Sequence, residues 1–377
     1  GVYALQYGVG ANNTAVGQLA LRGVSAATST GGSNTAVGMS ALLGFTSGNY
    51  NTAVGVQALQ ANTTASGHVA VGYQAGYSQT TPSSAYPNTY VGYQAGYLNL
   101  TNLANTAVGG SALYNNRADN NSGFGWGALN ANTTGATNTA VGSFSLYSNT
   151  TGGANSSSGQ GALFSNTTGS NNTAFGQAAL NANTTASNST AVGYQTLYSQ
   201  VAAGSFNTAF GSQAGYNTTA QVIDAFGYQA LFANTSGGDS QAFGFRALYS
   251  NTTGVSNVAL GREALRSNTT ASYNTAVGYQ ALYTNTTPTS HTAVGYQALY
   301  SNNTTNTSTA LGYKAGYAYN AAGAYGDVFV GYNAGLSTTS GNYIVAIGGS
   351  SLAANTTGSY QTAVGAAALL SNTTGAN

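Results

Sequence analysis

This 377-residue chain has no cysteine, three prolines, one methionine, one tryptophan and two histidines. Only six residues are Lys or Arg and five are Asp or Glu. Without cysteine there is neither a disulfide framework nor a thiolate centre, which fits any compartment. A net charge of +1 leaves no electrostatic footprint for nucleic acid or an anionic membrane. No apolar run reaches transmembrane length. The five carboxylates, Asp119, Asp224, Asp239, Glu263 and Asp327, fall at unrelated places. General acid–base work on a glycosidic bond needs two carboxyl groups about 5–10 Å apart, and no such pair is evident. His68 and His291 are far apart in sequence, so no metal cluster is expected. Serine is plentiful but has no His/Asp company. The expectation is a protein with no enzymatic activity and no cofactor.

What the chain has instead is one short sentence repeated. Twenty-two copies read approximately Asn-Thr-Ala-Val-Gly-Tyr-Gln-Ala-Leu-Tyr-Ser-Asn-Thr-Thr-Gly-Ser. Each copy is anchored on the Gly of Ala-Val-Gly, as at Gly38, Gly55, Gly72 and onward to Gly365, and most steps are 17 residues. Counted from that anchor, position −1 is apolar in nearly every copy (Val16, Phe124, Leu260, Ile347), with Ser158 as an exception. Position −2 is mostly Ala, and +3 is nearly always Ala. Position +4 is Leu in 17 copies and Gly in five: Gly76, Gly96, Gly215, Gly316 and Gly335. Aromatics recur at +1 and +5.

Seventeen residues cannot hold a helix pair with its connections, and Gly, Asn, Thr and Ser form helices poorly. Two short extended runs, Thr-Ala-Val and Gln-Ala-Leu-Tyr, bounded by turn residues, fit one coil of a parallel β-solenoid. The expected fold is all-β: a parallel β-solenoid, or β-roll, of about 22 coils forming an elongated rod on the order of 105 Å long. Ala at −2 and +3 suits a thin interior, with the −1 residue and Leu at +4 filling the remaining space. Stacking sets like residues above like, which uncharged columns tolerate and charged ones do not. Residues 1–377 read as a single repetitive domain, uncapped at both ends, either a slice of a longer fibre or a unit that stacks end to end. The longer steps place extra residues near Ala26–Gly32, Thr80–Pro87 and Asn320–Asp327. That segment is therefore expected to face outward.

The Asn-Thr-Ala-Val-Gly unit, for example at Asn51–Gly55 and Asn274–Gly278, resembles the head repeats of YadA-like trimeric autotransporter adhesins. Similar arrays look like those of some phage tail fibres and surface fibres. The resemblance spans all the copies. The unit here is longer by its Asn-Thr-Thr-Gly turn and carries Thr at −3 where the family has an apolar residue. The resemblance implies an extracellular or cell-surface rod, alternatively a virion tail fibre, in which three chains pack side by side.

Two sets of residues are candidate sites. At +7, Asn62, Asn132, Asn149, Asn166, Asn183, Asn234, Asn251, Asn268, Asn285, Asn355 and Asn372 each begin an Asn-x-Ser/Thr acceptor. They read either as turn residues, since Asn tolerates the left-handed conformation, or as a line of glycosylation sites along the rod. The Tyr columns, with Tyr73, Tyr93, Tyr194, Tyr279 and Tyr296 at +1 and Tyr114, Tyr147, Tyr249, Tyr283 and Tyr300 at +5, read as packing or as stacking platforms for sugar rings. The Asn-Thr pair at −4 and −3 forms a further polar column, read chiefly as a hydrogen-bond ladder, with an ice- or carbohydrate-binding Thr array as the alternative. Arg262, Glu263 and Arg266 form a charge cluster, read as a solvated face. The functional expectation is a structural subunit of an extracellular filament whose partner is itself. The alternative is an adhesin or tail-fibre shaft binding surface glycans.

Overall fold

A computed structural model describes residues 1–7, 10–80, 86–201, 206–304, 307–323 and 325–375. The described residues are all-β, in 21 short parallel strands and turns. The contacts gather into two units, residues 1–188 and 189–377, and both are parallel β-solenoids.

The first unit holds β1 (Thr14–Val16), β2 (Thr35–Val37), β3 (Thr52–Val54), β4 (Val69–Val71), β5 (Thr89–Val91), β6 (Thr106–Val108), β7 (Ser122–Phe124), β8 (Thr139–Val141), β9 (Ser156–Ser158) and β10 (Thr173–Phe175). Consecutive strands from β1 to β10 pair in parallel with the same repeat positions in register, most often Thr on Thr, Ala on Ala and Val on Val, as in Thr35↔Thr52, Ala36↔Ala53 and Val37↔Val54.

The second unit holds β11 (Thr190–Val192), β12 (Thr208–Phe210), β13 (Ile223–Phe226), β14 (Ser240–Phe243), β15 (Val258–Leu260), β16 (Thr275–Val277), β17 (Thr292–Val294), β18 (Thr307–Leu311), β19 (Tyr325–Val330), β20 (Ile344–Ile347) and β21 (Gln361–Val364). Its ladder is equally regular except between β18 and β19, where the register shifts at Thr307/Ser308. That is where a longer repeat delivers its extra residues, so the insertion is absorbed as a bulge.

The sheet ends at each anchor glycine for a steric reason. These glycines have φ between 123° and 141° from Gly17 to Gly365, a region that side chains strongly disfavour. A Cβ on Gly211 would also stand 2.6 Å from the carbonyl oxygen of Gly227 in the next coil.

The second run is not a strand, which corrects the expectation of two strands per coil. Positions +2 and +4 have positive φ, as at Gln57 (60°) and Leu59 (49°), or Gln280 (52°) and Leu282 (51°), while the residues between them do not. The backbone still pairs between coils. The +2 N–H donates to the +1 carbonyl of the preceding coil, as Gln57 to Met39 at 2.9 Å. The +4 N–H donates to the +3 carbonyl of the following coil, as Leu59 to Ala75 at 2.9 Å. These bonds satisfy groups that would otherwise be buried unpaired, and they offset the cost of roughly 1–2 kcal/mol for a left-handed L-residue.

The interior is narrow. Ala at −2 and +3 and Leu at +4 are fully buried, as are Ala53, Ala58 and Leu59 of one coil. The −1 residue does not join them: Val16 and Phe175 are each 57% exposed and Leu260 is 48% exposed. This overturns the expectation that −1 fills the core. In a three-residue strand the side chains alternate, so one inward Ala leaves Thr at −3 and Val or Phe at −1 on the outer face.

Candidate functional site

Two amide ladders run inside the coils. At −4, the Asn Oδ1 accepts the backbone N–H of the equivalent residue one coil on, as Asn51 N–H to Asn34 Oδ1 (2.9 Å) and Asn138 N–H to Asn121 Oδ1 (2.9 Å). Its Nδ2 donates to a turn carbonyl, Asn51 to Ala65 at 2.8 Å. Where His or Asp replaces Asn the substitute keeps the acceptor, whereas Ile223 and Ile344 carry none. Asn88 N–H donates to His68 Nδ1 (2.9 Å), Ser308 N–H to His291 Nδ1 (3.2 Å), and Ile344 N–H to Asp327 Oδ1 (2.7 Å). An accepting Nδ1 places the proton of the neutral ring on Nε2. Burial pushes both imidazoles down to about 4. The carboxyl of Asp327 is raised, chiefly by burial, and Tyr319 Oη–H donates to its Oδ2. The histidines are thus interior ladder members. Their signal in the sequence was their phase, −4, and not their chemistry.

The +7 asparagines form the second ladder. Asn149 Nδ2 donates to Asn132 Oδ1 (2.7 Å) and to the carbonyl of Gly152 (2.8 Å), and Asn166 Nδ2 donates to Asn149 Oδ1 (2.7 Å). Asn62, Asn132, Asn149, Asn166, Asn183, Asn234, Asn251, Asn268, Asn285 and Asn355 are all buried. Asn372 is half-buried. The amide that would carry sugar is turned inward at these positions, and withdrawing it would break the ladder. The hydroxyls that face out from these turns belong to the Thr at +9, exposed at Thr134, Thr151, Thr168, Thr253 and Thr270. The Thr at +8 is held to the next coil, as Thr150 Oγ1–H to the Thr167 carbonyl at 3.0 Å.

The aromatic columns lie outside the core, with rings stacked coil on coil. At +1, Tyr73 and Tyr93 have ring centroids 5.3 Å apart, and Tyr279, Tyr296, Tyr313 and Tyr332 follow one another at 5.0–5.2 Å. These rings are exposed, as is Tyr194. At +5, half-buried Tyr77, Tyr97 and Tyr114 stack at 5.0 Å, Tyr283, Tyr300 and Tyr317 at 5.1 Å, Tyr147 lies on Phe164 at 5.4 Å and Tyr249 on Phe232 at 5.3 Å. Between the columns the +2 glutamines form a third ladder: Gln74 Nε2 donates to Gln57 Oε1 (2.8 Å) and Gln297 Nε2 to Gln280 Oε1 (2.8 Å). Within a column the ring faces lie against their neighbours, so the surface offers ring edges for apolar contact and amides for hydrogen bonds.

Three of the six basic residues interrupt this pattern in the second unit. Arg246 takes a +2 position, Arg262 a +1 and Arg266 a +5. The only ion pair among the described residues joins Arg266 Nε to Glu263 Oε1 at 3.7 Å. The carboxylates do not converge. Asp119 is exposed and accepts Leu103 N–H (2.8 Å), Asp224 lies on the outer face of β13, Asp239 sits in a turn at φ 53°, and Asp327 is interior. Among the described residues no group of three His, Cys, Asp or Glu can hold a metal ion, and no helix is long and apolar enough to cross a membrane.

Compared with protein-family models, with curated proteins and with solved structures, the chain matches none of them.

Proposed function

We propose that the chain is a structural subunit of an extracellular filament or fibre that assembles with copies of itself. One observation carries this reading: a coil satisfies its backbone and its interior amides only through the coils on either side of it. Asn149, for example, is bonded both to Asn132 and to Asn166. A coil edge without a neighbour presents unpaired N–H and C=O groups in register with any other copy's coil, so the same chemistry that extends a chain joins chains. The near-absence of charge keeps such columns free of repulsion. The exposed Thr at +9 are where sugar would decorate the fibre. Cryo-EM of the purified full chain and of native material tests this. Continuous filaments with coil-to-coil joints are expected; particles that stay monomeric at every concentration in sedimentation would overturn it.

A second reading has its own observation in its favour. The exposed Tyr279–Tyr332 ring column beside the Gln280–Gln297 ladder suits an adhesin or tail-fibre shaft that binds surface glycans. A carbohydrate array tests it: binding lost on Tyr279→Ala and Tyr296→Ala supports the reading, and an array with no bound glycan removes it.

A further inference from the structure

We infer that the corner of the second unit formed by Arg246, Arg262 and Arg266 with Tyr228, Phe245 and Tyr249 is a binding site for an acidic polysaccharide. The inference rests on the second reading above, that the exposed rings of this chain contact sugar, and names the class of sugar.

Charge is the first argument. Half of all Lys and Arg residues fall within Arg246–Arg266, while the whole chain carries a net charge of only +1. Glu263 offsets one of the three and is itself engaged, its Oε2 accepting from Gln280 Nε2 at 2.9 Å. The corner is therefore a local positive patch on an almost uncharged surface, where a fixed anion finds little competition from protein carboxylates.

Geometry is the second. Arg262 and Arg266 stand in the aromatic columns and Arg246 in the glutamine column between them, and all three lie over rings. The Arg246 guanidinium carbon stands 5.1 Å from the Phe245 ring centre and 5.3 Å from that of Tyr249, Arg262 is 5.0 Å from Phe245, and Arg266 is 5.7 Å from Tyr249 and 5.6 Å from Tyr283. Cation–π contact fixes the planar groups without using their N–H donors. Arg246 spends only its Nε, on Gln229 Oε1 (3.0 Å); Arg266 turns a buried Nε toward Glu263 Oε1 (3.7 Å) and gives one Nη to Tyr283 Oη (3.1 Å). The rest of each fork stays available for a carboxylate or sulfate. Alongside, Tyr228 (42% exposed) and Phe245 (37% exposed) stack at 5.4 Å and leave their outer edges as an apolar contact for a pyranose ring. A surface with both features selects a polymer whose units carry a ring and an anion together. A nucleic acid would need many phosphate contacts along its length, and this patch offers three cations.

The repeat supplies clean variants. Gln is the common +2 residue and Tyr recurs at +1 and +5, so Arg246→Gln, Arg262→Tyr and Arg266→Tyr together replace the patch with residues other coils already carry. The full chain and this triple variant are titrated calorimetrically with alginate, with neutral dextran and with duplex DNA, at low and at physiological salt. The expected result is alginate binding that weakens with salt, falls at least tenfold in the variant, and strengthens in Glu263→Gln, while dextran binding is unaltered. Equal alginate affinity in parent and variant overturns the site. Alginate binding no tighter than dextran overturns the acidic class but leaves sugar binding standing. DNA binding as tight as alginate shows a general anion surface and overturns the proposal. Binding of neither polysaccharide overturns both this inference and the reading beneath it.

Discussion

Gly76 leaves the space that Tyr90 fills. A Cβ on Gly76 would stand 2.7 Å from Tyr90 Cδ2, and one on Gly96, in the next coil, would meet the same ring closer still. Tyr90 occupies −2, where nearly every other coil has Ala, and is fully buried with its hydroxyl donating to Gln79 Oε1 at 2.9 Å. Phe329 repeats the arrangement between Gly316 and Gly335. The +4 glycines around these rings are thus volume compensation in an interior one Leu wide.

Tyr90→Ala is accordingly expected to open a cavity and cost about 3–5 kcal/mol. Gly96→Leu alone is expected to overpack and cost about 1–3 kcal/mol. The combination Tyr90→Ala, Gly76→Leu, Gly96→Leu restores the common Ala/Leu set and should recover most of the loss. Denaturant unfolding checks this; losses that simply add across the three sites would refute compensation.

Much of this architecture is legible in the sequence, because a period of 17 with in-register columns leaves few alternatives. Ala53 at −2 and Leu59 at +4 read as interior and are interior. Two features did not read correctly. Gln57-Ala58-Leu59 reads as a short extended run between turn residues, yet positive φ at Gln57 and Leu59 makes it a turn that buries Ala58 and Leu59 together, and neither Gln nor Leu advertises the left-handed state. Val54 and its equivalents looked like core because they are apolar, but a coil this thin has room for one inward residue per strand and Ala53 takes it. The +7 Asn, which the sequence leaves open between turn residues and glycan acceptors, lie inside. They are internal because each one replaces both a missing donor and a missing acceptor for its neighbours.

The interior ladder makes a sharp prediction at Asn149. Asn149→Leu removes two donated bonds, to Asn132 and Gly152, and one accepted from Asn166. With each bond worth about 1 kcal/mol and the orphaned partners costing more, a loss of about 3–5 kcal/mol is expected. Asn372→Leu, at a half-buried position, should cost far less. Hydrogen exchange of the flanking amides distinguishes the two, and similar protection in both variants would contradict the ladder.

Acid should loosen the coils at the two histidines. Both are held down to about 4 against an ordinary value near 6.5, so between these limits the unfolded chain binds the proton and the folded chain does not. The stabilisation is complete above about pH 6.5 and is lost as pH falls through 4, by roughly 3 kcal/mol per histidine. Protonation also turns Nδ1 into a donor facing Asn88 N–H or Ser308 N–H. His68→Asn with His291→Asn should flatten stability between pH 4.5 and 7, measured by urea midpoints. A double variant with the same pH dependence as the parent over that range would exclude the effect.

Asp327 has the opposite sign. Burial raises its carboxyl above the ordinary carboxylate range, so the folded chain holds a proton that the unfolded chain releases, and stability falls as pH rises through that interval. At neutral pH the position carries a charge, or its titration penalty, in a column where other coils place Asn. Asp327→Asn keeps an Oδ1 for Ile344 N–H, keeps a partner for the Tyr319 hydroxyl and removes the ionisation. It should therefore stabilise the second unit at pH 7 and change little at pH 3. Thermal unfolding at both pH values measures this. A variant less stable than the parent at pH 7 would show instead that the Tyr319–Asp327 hydrogen bond, which is charge-assisted when the carboxylate is ionised, outweighs the desolvation it requires.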